Sequence, residues 1–278
     1  MQSIQAIQVG VGPVSFDDLV RVARDGAPVA LTDEALAAID HARGVVEKLA
    51  AAETPTYGVS TGFGALATRH IPTEMRAQLQ RSLVRSHAAG SGPEVEREVV
   101  RALMLLRLST LATGHTGVRR ETAQLMAGLL SHGITPVVRE YGSLGCSGDL
   151  APLAHVALAA MGEGRVRTAT GEEADAGEAL AAASVAPLIL REKEGLALIN
   201  GTDGMLGMLL LALHDLSVLL DTADVAAAMS VDPIPVENAL NAPYVHVCES
   251  APMMMLPGLV SPFSGSTTCS MPARPISK

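Results

Sequence analysis

Tryptophan is absent, and phenylalanine and tyrosine supply only 2% of the 278 residues. An interior without large rings must be filled by Ala, Leu, Val and Met, which suits closely packed helices. Cysteine is scarce too: three residues, an odd number, point to free thiols in a reducing compartment rather than to a disulfide framework. The eight histidines and three cysteines form no H-E-x-x-H or paired C-x-x-C pattern, so no metal site is expected. No Gly-Lys-Ser/Thr follows the glycine-rich loops, which excludes a P-loop. Ala67 stands where a dinucleotide fingerprint begun by Gly62-Phe63-Gly64 needs its third glycine. Positive charge is in the minority, 20 Lys and Arg against 29 Asp and Glu, and the net charge of −9 argues against a nucleic-acid partner. The N-terminus, Met1-Gln2-Ser3-Ile4-Gln5, has neither the basic nor the apolar region of an export signal. A cytoplasmic protein is expected.

Apolar residues make up 48% of the chain, enough for a large core in one large domain or two small ones. Short β-like runs, Ile7-Gln8-Val9 and Pro28-Val29-Ala30, flank a short helix from Ser15 whose Asp17 and Asp18 suit its first turn. Thr32 caps a longer helix. Further helices are expected over 73–89, 94–113, 117–131 and 150–161, the first with Met75, Leu79, Leu83 and His87 as its inward stripe. Residues 162–176 read as a surface hairpin or loop. The apolar stretch from Gly204 to Leu220 contains His214 and Asp215 and is short for a bilayer crossing, so a bundle-buried helix and no membrane contact are expected. The fold class is mainly α, a helical bundle with a small mixed α/β N-terminal portion. From Val231 to Lys278 periodicity stops and Pro, Ser and Met dominate; this stretch reads as a divergent, irregular tail after a domain of residues 1–230.

The chemistry centres on Gly142-Ser143-Leu144-Gly145-Cys146-Ser147-Gly148-Asp149-Leu150-Ala151-Pro152-Leu153-Ala154-His155, a glycine-rich turn running into a helix. Asp149 reads as the N-cap, and Pro152 falls in the first turn, where a missing N–H costs nothing. A nucleophile elbow would need G-x-S-x-G, and Asp149 breaks that pattern. Backbone cyclisation is the other use of such a serine. Gly148, without a side chain, lets its nitrogen approach the carbonyl carbon of Cys146, and dehydration at Ser147 leaves an exocyclic methylidene, a strong electrophile. This run resembles the signature of the aromatic amino-acid ammonia-lyases. The resemblance implies a 4-methylidene-imidazol-5-one (MIO) group made from Cys146, Ser147 and Gly148, with Asp149 aiding the dehydration and no external cofactor. The family's usual tripeptide is Ala-Ser-Gly. Cyclisation uses only the backbone carbonyl of the first residue, so Cys146 is compatible with it.

Two further stretches match in the family's order. Tyr57-Gly58-Val59-Ser60-Thr61-Gly62-Phe63-Gly64 resembles the family's lid, whose tyrosine moves a proton; on its own it could equally be a plain turn. Ser60 replaces the more usual Asn, which bears on the hydrogen bonding of the loop. Leu198-Ile199-Asn200-Gly201-Thr202 resembles the family's Ile-Asn-Gly-Thr, in which the Asn orients the MIO or the substrate; by residue type alone Asn200 reads as a cap. Asp203 departs from the common Gln. Ser86-His87-Ala88-Ala89-Gly90 is similar to the histidine-specific form, although a lone His87 reads as a core histidine. A polar His87 beside small Ala88 suits an imidazole, because a buried polar partner discriminates against an apolar ring.

The resemblance, over residues 1–230, implies non-oxidative conversion of L-histidine to trans-urocanate and ammonia. Tyr57, Ser147 and Asn200 would be catalytic, His87 with Tyr57 and Asn200 would bind substrate, and the family's homotetramer would complete the sites. The alternatives are a phenylalanine- or tyrosine-specific lyase and a silent fragment, truncated or frame-changed near Val231, that at most associates with other chains.

Overall fold

The computed structural model describes residues 5–143 and 148–231. Cys146 and Ser147 lie outside the described residues, as does the expected irregular tail.

Strand β1 (Ile7–Val9) pairs in parallel with β2 (Val29–Leu31) across helix α1 (Phe16–Ala23). Ser15 caps α1 by accepting the Asp18 N–H at 3.1 Å, and Arg101, from further along the chain, donates to Val22 O at its other end. The outer edge of β2 is closed by one residue. The Ser131 hydroxyl accepts from Val29 N at 2.9 Å and donates to Val29 O at 3.0 Å. Thr32 then caps α2 (Asp33–Ala51) through Ala35 N–H.

After the Tyr57 loop come α3 (Thr73–His87), β3 (Ser91–Glu94), α4 (Arg97–Ala112) and α5 (Arg120–Ser131). Next are β4 (Thr135–Pro136), β5 (Arg139–Tyr141) and α6 (Leu150–Ala160). The core gathers around α4, whose Leu103, Met104, Leu105, Leu108 and Leu111 are all buried against neighbours on α1 and α5. Alanines at 151, 154, 157 and 160 keep α6 slim, so that α3 and α8 (Glu194–Ile199) approach it closely. The expected hairpin is present as β6 (Arg165–Arg167) and β7 (Glu173–Asp175), joined by β4 into a three-stranded antiparallel sheet ahead of α7 (Ala176–Ala182).

Two charged side chains inside this core are held by main chain or neighbours, although Arg101 Nη2 has no hydrogen-bond partner among the described residues. Arg101 is buried, with Nε on Val22 O and Nη1 on Leu130 O, at the ends of α1 and α5. Burial, with a smaller push from Arg97, draws its pKa down to about 10. Glu194 is fully buried and accepts from Arg119 N, the Arg119 guanidinium, Thr122 Oγ1 and Arg191 N. Burial alone would raise its pKa, but these donors hold it below the usual carboxylate range.

Two expectations fail here. The inward stripe of α3 is Arg76, Gln80 and Val84, one residue round from the predicted one; Met75 is exposed, and Leu79, Leu83 and His87 are only partly buried. The polar pair goes inward because Arg76 donates to Ile71 O and Ala50 O, while Gln80 Oε1 accepts Gly195 N–H at 2.9 Å. The second correction concerns α9 (Asp203–Val231), whose length to about Met229 was expected but whose apolar face is largely exposed among the described residues rather than buried in a bundle. Leu206, Leu209, Leu213, Leu216, Leu219 and Leu220 are exposed, and residues 194–230 are long and apolar enough, by length and composition, to cross a bilayer. Asp215 on α9 is tied to α1 by Arg24, which also binds Glu98 of α4. One compact unit runs to Thr222; a second, from Ala223, is described only as the end of α9.

Candidate active site

Two of the stretches singled out in the sequence, those around Gly148 and Asn200, meet at a close approach. Gly148 lies against the turn between α8 and α9: a Cβ on it would stand 3.4 Å from Asn200 Oδ1, 3.4 Å from Gly201 O and 3.6 Å from Gly201 N. The next peptide is fixed by a hydrogen bond from Asp149 N to Gly201 O at 2.6 Å. Asn200, the C-cap of α8, thus faces Gly148, and it is exposed.

Asp149 stands at the N-cap of α6, its carbonyl accepting from Leu153 N, but its side chain makes no capping bond there. Its carboxylate reaches the start of α9 instead, with Oδ2 accepting from Gly204 N at 2.8 Å and Met205 N at 3.0 Å, while Oδ1 accepts from Ser143 Oγ. The expected N-cap position of α6 is present, while the side chain caps α9 instead. A carboxylate in either place meets the positive end of a helix dipole. Here it serves the helix that follows Asn200, so one buried side chain joins Ser143 to the start of α9.

The Tyr57 loop leans on α8. Gly58 adopts φ +72°, a conformation that favours glycine, and a Cβ there would meet Leu196 Cδ2 at 3.2 Å. Ser60 is buried and its hydroxyl accepts Thr56 N–H at 2.9 Å, which answers the question raised by its replacing Asn: the loop is closed locally. Tyr57 itself is 53% exposed and touches Phe63 edge-on at a centroid distance of 6.0 Å. No contact joins Tyr57 to Gly148 or Asn200 among the described residues.

His87 ends α3. Its Nδ1 lies 2.8 Å from Leu83 O and 3.1 Å from Ser86 Oγ. A carbonyl only accepts, so Nδ1 donates a proton to it. Three residues on, Gly90 N donates to His155 Nε2 at 3.1 Å, and Gly90 Cα lies 3.2 Å from where a Cβ on Gly142 would stand. The His87 segment is thereby set beside the turn that leads to Ser147. His155 must be neutral to accept there, and burial, with Arg139 nearby, pushes its pKa below the usual histidine value.

Sequence reasoning missed His155 and Arg107 as partners of these segments. His155 stood in the quoted run, but its partner is 65 residues away. Arg107 carried no local signal at all, though it lies buried beneath Gly201.

Comparison with known proteins gives a consistent picture. The family model for aromatic amino acid lyases matches residues 14–254, past Val231. A histidine ammonia-lyase of Streptomyces avermitilis is 58% identical over 249 residues, covering 90% of this chain and 49% of that protein. Among solved structures, the ergothioneine-degrading ergothionase of Treponema denticola superposes with TM-score 0.77 at 30% identity, over 82% of this chain and 45% of the other. The histidine ammonia-lyase of Trypanosoma cruzi gives TM-score 0.75 at 35% identity, over 82% and 44%. The chain spans about half the length of the curated relatives it matches.

Proposed function

Since the chain belongs to the aromatic amino acid lyase family, we propose that it supplies the electrophile-bearing half of a histidine ammonia-lyase that converts L-histidine to trans-urocanate and ammonia. The observation that carries this reading is the seating of Gly148 against Asn200 and Gly201, with Asp149 locked to the same turn. Gly148 is the residue whose nitrogen would close an MIO ring, and one amide side chain and one carbonyl stand within van der Waals reach of it. Those residues fit the group. When formed, the MIO supplies an electrophile that makes ammonia a better leaving group.

The chain's own residues would do the rest. With Nδ1 turned to Leu83 O, Nε2 of a neutral His87 would accept the N–H of a substrate imidazole, an interaction that a phenyl or phenol ring cannot offer from the same position. Asn200 would hydrogen-bond the substrate or the ring from its place at the end of α8. Tyr57, on a loop anchored through Gly58 to the same helix, would move the β-proton. A phenylalanine- or tyrosine-specific lyase accords less well with the relatives above. The exposed apolar positions of α9 support assembly with further subunits, for which the family's homotetramer is the arrangement proposed.

The test is an intact mass with a near-UV spectrum. A mass lower by two waters, with an absorbance lost in Ser147→Ala along with any urocanate formation, is expected. An unmodified mass overturns the reading.

A further inference from the structure

The turn that receives Gly148 has a second side, and it rests on a buried ion pair. Arg107, in α4, is 3% exposed and pairs with Asp203, the first residue of α9. Its Nη1 also donates to Ala197 O, in α8, at 3.1 Å. The guanidinium lies against Gly201 so closely that a Cβ there would overlap it and the Asp203 carboxylate. Gly201 is the residue whose carbonyl holds Asp149 N. One cation therefore grips the end of α8, the turn and the start of α9.

We propose that Arg107, through its pairing with Asp203, is a positioning residue for the self-modification, fixing Gly201 and with it the orientation of the Gly148–Asp149 peptide. The proposal rests on the ammonia-lyase reading, because only there does the Gly148 nitrogen form a new bond. In that reaction the nitrogen bonds to the carbonyl carbon of Cys146. The carbonyl oxygen leaves as water with the amide hydrogens of Gly148 and Ser147, and Ser147 loses a second water made from its hydroxyl and its Cα hydrogen. An amide nitrogen is a weak nucleophile, since its lone pair is shared with its own carbonyl. Rate must therefore come from holding it in place, the kind of contribution that pre-set geometry supplies. A buried pair hydrogen-bonded on several sides gives that rigidity, and removing one partner alone would leave an uncompensated charge.

The experiment follows the two-water mass loss with time in the full chain, with amide hydrogen exchange at Asp149 as a second readout. The double variant Arg107→Met with Asp203→Leu removes both charges, so it retains helical circular dichroism while losing the grip on Ala197 and Gly201. Its modification should be at least tenfold slower, with faster exchange at Asp149. Arg107→Lys keeps a charge for Asp203 but cannot hold both partners, and should be slowed severalfold. A folded double variant modified at the wild-type rate overturns the positioning role alone; should that variant fail to fold, an unslowed Arg107→Lys overturns it. A wild-type chain of unmodified mass overturns the ammonia-lyase reading, and the positioning role falls with it.

Discussion

His155 shows how a single side chain can set a pH limit on this arrangement. It accepts the Gly90 N–H only while neutral, and its folded-state pKa lies below the ordinary value near 6.5. As pH falls through about 6.5, unfolded chains take up a proton that folded chains resist, so the folded state loses ground on the acid side and keeps its full advantage above that pH. Denaturant midpoints at pH 5.5 and 7.5 should therefore differ, with the lower value at pH 5.5. His155→Gln should flatten this difference, and an unchanged slope would remove His155 from the account. His87, by contrast, is expected to act on selectivity. His87→Phe should reduce turnover of histidine relative to phenylalanine, measured as a ratio of kcat/KM values.

Among the elements, α3 separates pattern from physics. Its apolar residues recur at Met75, Leu79 and Leu83, yet the helix turns Arg76 and Gln80 inward. Periodicity counts side-chain transfer out of water. It cannot see that the Ala50 and Ile71 carbonyls and the Gly195 amide wait on the inner side for partners. Gln80→Leu should consequently cost about 1–3 kcal/mol, because it strands a buried N–H, whereas Leu79→Gln should stay within about 1 kcal/mol. Equal costs in urea titrations would contradict this register. Asp149 teaches the same lesson. Its residue type marked a helix start correctly, but the helix it serves begins 54 residues later in the chain. Ser15 and Thr32 were legible because each caps the helix that follows it at once.

For the chain as a whole, the helices and the order of the site stretches could be read from the sequence, since both are local matters of spacing and residue type. The bonds that bring the stretches together could not: Arg107 to Asp203 spans 96 residues and His155 to Gly90 spans 65. The short strands β3, β4 and β5 also went unread, being two to four residues long and poor in β-branched side chains. The apolar length of α9 was legible, but not that the described residues leave much of it exposed. Light scattering should accordingly find species heavier than the 28.7 kDa monomer. Charges placed at Leu209, Leu213, Leu216 and Leu220 together should return it toward that mass, and a wild-type monomer would refute the expectation.

The guanidinium beneath Gly201 also bears on how such a protein could drift over time. The space that any larger residue at 201 would need is already taken by the head of Arg107. Descendants of this chain are thus barred from changing position 201 first. A path to a new side chain there must begin in α4, by shrinking residue 107, and must pass through forms in which Asp203 has lost its counter-ion.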